Sequence, residues 1–146
     1  MKDKITARIV VEIVGAPNHH VEEVMKDVVE KFKMEEGVRV VKEKTAELKE
    51  TENKLWGTFS EIEFETDNIR KIADICFDYM PSSIEILEPA GLEIDTAMLA
   101  DTFNEILAKL HNYAMNAKRL DAENRLLNAR IDKMRRENLE LMKKVQ

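Results

Sequence analysis

One feature constrains this chain more than any other. From Leu99 to Val145 a series with alternating steps of four and three residues runs without a break: Leu99, Phe103, Ile106, Leu110, Tyr113, Ala117, Leu120, Asn124, Leu127, Ile131, Met134, Asn138, Leu141 and Val145. Seven residues per two helical turns is the coiled-coil period. A step of three runs from a to d. Leu99, Ile106, Tyr113, Leu120, Leu127, Met134 and Leu141 are therefore d positions, and the other seven are a positions. β-Branched residues at a (Ile131, Val145) with leucine at d favour two parallel strands. The expectation is a long helix over 95–146 whose fourteen seam residues form a homodimer interface.

Two asparagines sharpen that expectation. A seam asparagine facing leucine or isoleucine leaves its amide unpaired, at a cost of roughly 1–3 kcal/mol. Two identical parallel chains in register set Asn124 beside Asn124 and Asn138 beside Asn138, so the amides pair. The flanking g and e′ positions add little. Glu123 faces Asn128, Glu137 faces Met142, and Arg130 facing Arg135 repels. A different partner with acids at those positions would pair better, so a heteromeric coil stays open. Between 99 and 114 the e positions Ala100, Leu107 and Ala114 are apolar too, which widens the stripe beyond a two-strand seam and points to packing on the preceding domain or in a larger bundle.

Charge divides the chain. From Ala117 onward there are nine Lys and Arg against five Asp and Glu, a surplus of +4; the preceding residues carry 14 against 24, or −10. The basic residues Arg125, Arg130, Lys133, Arg135 and Arg136 form a possible contact patch for an acidic partner, and the two halves could attract each other head to tail. A single cysteine, Cys76, rules out an intrachain disulfide and fits a reducing compartment. The segment MKDKITARIV lacks a secretory apolar core, and no apolar run approaches the ~20 residues of a membrane span. A cytoplasmic protein is expected.

Before the repeat, residues 4–14 alternate, with Ile5, Ala7, Ile9, Val11 and Ile13 on one face. Gly15, Ala16 and Pro17 break this strand. Asn18 is placed to cap a helix with Val21, Val24, Met25, Val28, Val29 and Phe32 on one side. Val38–Lys49 reads as a second strand, bulged around Val40 and Val41. Leu55–Thr66 is a third, with Trp56, Phe59, Ile62 and Phe64. Asp67 is placed to cap a second helix with Ile69, Ile72, Ala73, Cys76, Phe77 and Met80 inward, and Ser82–Leu87 is a short last strand. The order β-α-β-β-α-β predicts an α+β, ferredoxin-like domain over 1–90, with its first and third strands central and its fourth at an edge.

Chemistry is sparse. His19 and Glu23 stand one turn apart, but no third ligand follows at useful spacing, so no metal and no cofactor is expected. His111 falls at an outward position of the repeat. Cys76 has no histidine near it in sequence, and Asp74 and Asp78 would raise its pKa. There is no G-x-S-x-G, P-loop or G-x-G-x-x-G pattern, and the chain is expected not to be an enzyme. RNA-binding sheets stack bases on strand aromatics beside cations; here Glu61, Glu63 and Glu65 place negative charge on the third strand. No dense basic region precedes the repeat, which argues against zipper-type DNA binding.

The stretch IVGAPNHHVEEVMKDVVEKF, opening a βαββαβ unit over residues 5–88, resembles the start of ACT-type regulatory domains. That resemblance implies dimerisation and an amino-acid-like ligand at the first strand–helix loop, here Gly15, Ala16, Asn18 and His19. Asn18 stands where the family usually has glycine. The leading expectation is a non-enzymatic dimeric interaction module. A small-molecule sensor is the alternative, and nucleic-acid association through the basic distal helix is a third reading.

Overall fold

The computed structural model describes residues 4–146. Its elements in chain order are β1 (Ile5–Gly15), α1 (Asn18–Lys33), β2 (Arg39–Thr45), β3 (Lys49–Glu50), β4 (Trp56–Thr66), α2 (Ile69–Asp78), β5 (Ser83–Glu88) and α3 (Thr96–Val145). Two units are distinguished, one ending at Thr102 and the other running from Phe103 to Gln146.

The strands of the first unit lie in the order β2-β4-β1-β5, with β3 pairing β4, and all pairings are antiparallel. This is the ferredoxin-like arrangement, with the first and third long strands central. β1 and β4 pair along their whole length, from Ile5 opposite Thr66 to Gly15 opposite Trp56. The expected bulge in β2 is present as a register shift between Val40 and Lys42. The second strand itself is shorter than its alternation implied. It stops at Thr45, and the two-residue β3 follows separately, because the chain leaves the ladder between Ala46 and Leu48.

Alternation along β1 and β4 sorts their side chains by face. Ile5, Ala7, Ile9, Val11, Ile62 and Phe64 point to the helices and are buried there by Val21, Met25, Val29 and Phe32 of α1 and Ile72 and Ile75 of α2. Phe32 sits at the centre, edge-on to Phe64 with ring centroids 5.2 Å apart and to Tyr79 at 5.0 Å. Three buried polar residues of β4, Thr58, Ser60 and Thr66, share this inner face and are satisfied, Thr66 by accepting the Asn68 amide. The Thr58 hydroxyl donates to the Ala46 carbonyl at 2.7 Å, and the Ser60 and Thr45 hydroxyls are 2.6 Å apart.

Several sequence expectations shift by one or two residues, each for a local reason. Pro17, not Asn18, occupies the N-cap of α1; its carbonyl accepts from the His20 and Val21 amides, and Asn18 is already helical. α2 is capped by Asn68, not Asp67: Asn68 Oδ1 accepts the Arg70 amide at 3.0 Å. Ile75, not Met80, completes the inward side of α2. Met80 lies past the helix end with φ 43° and is 65% exposed. The long helix begins as anticipated at Asp95, whose Oδ1 accepts the Ala97 and Met98 amides at 2.8 and 3.1 Å. Among the described residues no helix is long and apolar enough to cross a membrane.

Candidate interaction surfaces

α3 runs for 50 residues, about 75 Å at 1.5 Å per residue. From Phe103 onward most of the large apolar seam residues are about half-exposed or more. Phe103 is 56% exposed, Leu120 56%, Leu127 55% and Leu141 58%. Asn124 and Asn138 stand in the same row. Asn124 Oδ1 accepts from the Asn128 amide nitrogen at 3.0 Å, one turn on, which leaves further hydrogen-bonding capacity on both amides. Intrahelical ion pairs run down the flanks of the seam, Arg119–Glu123 at 3.0 Å and Arg125–Asp121 at 3.0 Å. Arg125, Arg130, Lys133, Arg135 and Arg136 are all exposed but do not share one face, because they are spread over b, g, c, e and f.

On the first unit, the sheet face turned away from α1 and α2 is a ladder of alternating charge. Arg39, Lys42 and Lys44 of β2 lie opposite Glu65, Glu63 and Glu61 of β4. Arg8 of β1 reaches Glu63 and Glu85, each at 3.4 Å. Lys4 meets Glu65 at 2.6 Å, and the Arg39 guanidinium grips the same carboxylate. The Lys4 ammonium, and after it the Arg39 guanidinium, hold the Glu65 carboxyl below the usual glutamate range. The row of glutamates is thus interleaved with cations. The sequence showed the acids together but not the cations of the two neighbouring strands that flank them.

A groove of about 470 Å³ lies between α1 and the end of β2. Met25 and Val29 of α1, with Ala46 and Leu48, form its apolar floor. Glu22 and Glu30 of α1 and Glu43 and Glu47 across from them make an acidic rim, relieved by Lys26. Lys33 pairs with Glu43 at 2.8 Å, and that bond is the main reason its ammonium is held above the usual lysine range. No spacing rule pointed to this groove, because its two walls are separated by a turn and a strand in sequence. The loop residues Gly15, Ala16, Asn18 and His19 do not line it. Nor do they line the more polar cavity of about 640 Å³ where the starts of α2 and α3 come together around Arg70 and Asp101. His19, His20 and His111 are exposed, and among the described residues no three His, Cys, Asp or Glu side chains are grouped to hold a metal.

Glu35 carries the densest polar cluster. Its carboxylate accepts from Lys71 Nζ at 2.7 Å and from the Tyr79 hydroxyl at 2.8 Å. The Lys71 bond first, and the Tyr79 bond second, hold the Glu35 carboxyl below the usual range. Tyr79 is pushed the other way, upward, by burial and then by Glu35. Lys31 lies 5.5 Å above the same tyrosine ring. The cluster ties the turn after α1 to α2. Cys76 is half-buried, and its thiol is pushed up by desolvation; the neighbouring aspartates are not the cause.

No curated protein matches the chain, and no solved structure does. A family profile covers nearly the whole sequence, residues 6–145, taking in both units. By that match the chain belongs to the MJ0538 family.

Proposed function

We propose that this protein is a non-enzymatic, homodimeric interaction module in which α3 forms a parallel two-stranded coiled coil and each chain offers its α+β unit to a macromolecular partner. The observation that carries the proposal is the continuous apolar seam from Phe103 to Val145, whose large side chains are exposed along α3. Burying a leucine, isoleucine or phenylalanine side chain is worth roughly 1.5–3 kcal/mol. A seam of this length therefore favours pairing strongly. Asn124 and Asn138 select which pairing: only parallel chains in register let each amide meet its own copy.

Two measurements test this. A cysteine replacing Leu141 in a Cys76→Ser background is expected to form a disulfide-linked dimer on mild oxidation, because d positions of parallel strands approach within disulfide reach. An antiparallel pair would leave the thiols at opposite ends and reduced, and that result would overturn the parallel assignment. Replacing Asn124 and Asn138 with leucine is expected to raise the melting temperature of the helix while broadening the mass distribution beyond a dimer. A double variant that stayed a single parallel dimer would refute the role given to the two amides.

A further inference from the structure

The seam occupies one side of α3, and the opposite side has a second pattern that pairing would leave in water. Ala122, Leu126 and Ala129 are spaced by four and three residues and lie at outward positions, with Leu126 54% exposed. The alanines leave low ground on either side, so Leu126 stands out as a knob. Arg125 precedes it in sequence, Arg130 and Glu123 lie within one turn, and Arg119 and Lys133 stand two turns away along the same row. Outward positions of a coiled coil ordinarily carry polar residues, and a large leucine among cations is not needed for solubility.

The groove beside α1 has the complementary character. Its floor of Met25, Val29, Ala46 and Leu48 is apolar, and its rim carries Glu22, Glu30, Glu43 and Glu47, an acidic surplus over Lys26 and over Lys33, which already pairs with Glu43 and Glu30. At about 470 Å³ it exceeds the volume of a leucine side chain. We propose that the outer face of α3 around Leu126 docks into this groove on a second copy of the chain. Leu126 enters the apolar floor, and the flanking arginines and Lys133 meet the glutamate rim. The intrahelical pairs of Arg119, Arg125 and Lys133 do not prevent this, since exposed ion pairs are weak and their cations exchange partners. Different patches meet in such a contact, so it is heterologous and links dimers into larger assemblies. The inference goes beyond the dimer proposed above and rests on it only in taking the seam side of α3 as occupied.

The test is sedimentation velocity on the full-length chain over a range of concentrations. At low ionic strength, species heavier than a dimer are expected to grow with concentration. They should disappear in about 1 M salt, where the Debye length is about 3 Å. Leu126→Asp, and separately Glu22→Lys with Glu47→Lys, are each expected to abolish the heavier species and leave the dimer intact. Combining the groove reversals with Arg125→Glu and Lys133→Glu is expected to restore them. A wild-type chain that stays a dimer at every concentration would overturn the docking and leave the coiled coil standing. Heavier species that survive Leu126→Asp would also overturn it. Association that begins from a monomer, shows no dimer, and is still lost in Leu126→Asp would support the docking and overturn the parallel pair.

Discussion

Removing the Glu35 carboxylate tests how the first unit is held together. Glu35 is in the turn after α1, and its two oxygens are each committed to one donor, Lys71 Nζ at 2.7 Å and the Tyr79 hydroxyl at 2.8 Å. The side chains of Glu35 and Lys71 are each 21% exposed, so the pair is shielded from water but not fully desolvated. Hydrogen bonds to a charged group contribute about 1.5–3 kcal/mol when buried. Lys71 can turn back toward solvent after the change, which lowers the penalty for stranding it. Glu35→Ala should therefore cost about 2 kcal/mol, and Glu35→Gln, which keeps one acceptor, about 1 kcal/mol. For a unit of roughly 100 residues, 2 kcal/mol corresponds to about 8–16 °C in melting temperature. The assay is urea unfolding followed by fluorescence of the single tryptophan, Trp56 on β4, which reports the first unit without the helical signal of α3. The pH dependence has a definite sign. Because the folded carboxyl is held below its unfolded value of 4.5, its contribution is complete above that value. It is lost as pH falls through the lower, folded value. The gap between wild type and Glu35→Gln should be constant from neutral pH down to about pH 5 and close below pH 4.5. A Glu35→Ala variant within about 0.5 kcal/mol of wild type, or a gap that persists at pH 2, would refute the reasoning.

Two further outcomes follow from the same structure. Asn68→Ala should destabilise the first unit by about 1 kcal/mol in the same tryptophan-monitored unfolding, whereas Asp67→Ala should change it by less than about half of that, because only Asn68 accepts the Arg70 amide. Cys76 should alkylate with iodoacetamide at pH 8 more slowly in the folded protein than in urea, since burial disfavours its thiolate and each unit of upward shift lowers the thiolate fraction about tenfold. Equal rates in the two states would show that the thiol is not shielded.

The elements of the first unit were legible because its strands and helices bury one face each. Alternation at Ile5, Ala7, Ile9 and Val11 and the 3-4 spacing of Val21, Met25, Val29 and Phe32 are direct consequences of that burial, and those residues form the core. The element order then sufficed to place the strands, since right-handed crossovers leave few arrangements. Cap positions were less legible. Asn18, Asp67 and Asn68 can all accept a backbone amide, and the choice between neighbours depends on where the preceding strand releases the chain. Thr66 illustrates this: its hydroxyl accepts the Asn68 amide at 3.3 Å and so helps set the turn that makes Asn68 the cap.

The sequence by itself determined the periodic features, because a repeat of two, 3.5 or 3.6 residues is a property of a single segment. It specified the strands, the helices and the unbroken seam of α3 with its two asparagines. Tertiary structure alone decided what distant segments make together. Glu35 meets Lys71 and Tyr79 across 36 and 44 residues of chain, Arg8 reaches Glu85 across 77, and the groove joins α1 to the end of β2. The glutamates of β4 read as a bare acidic row until the neighbouring strands set cations between them. Such pairings depend on the register of neighbouring strands and on which side chains reach across them, and no local spacing encodes that.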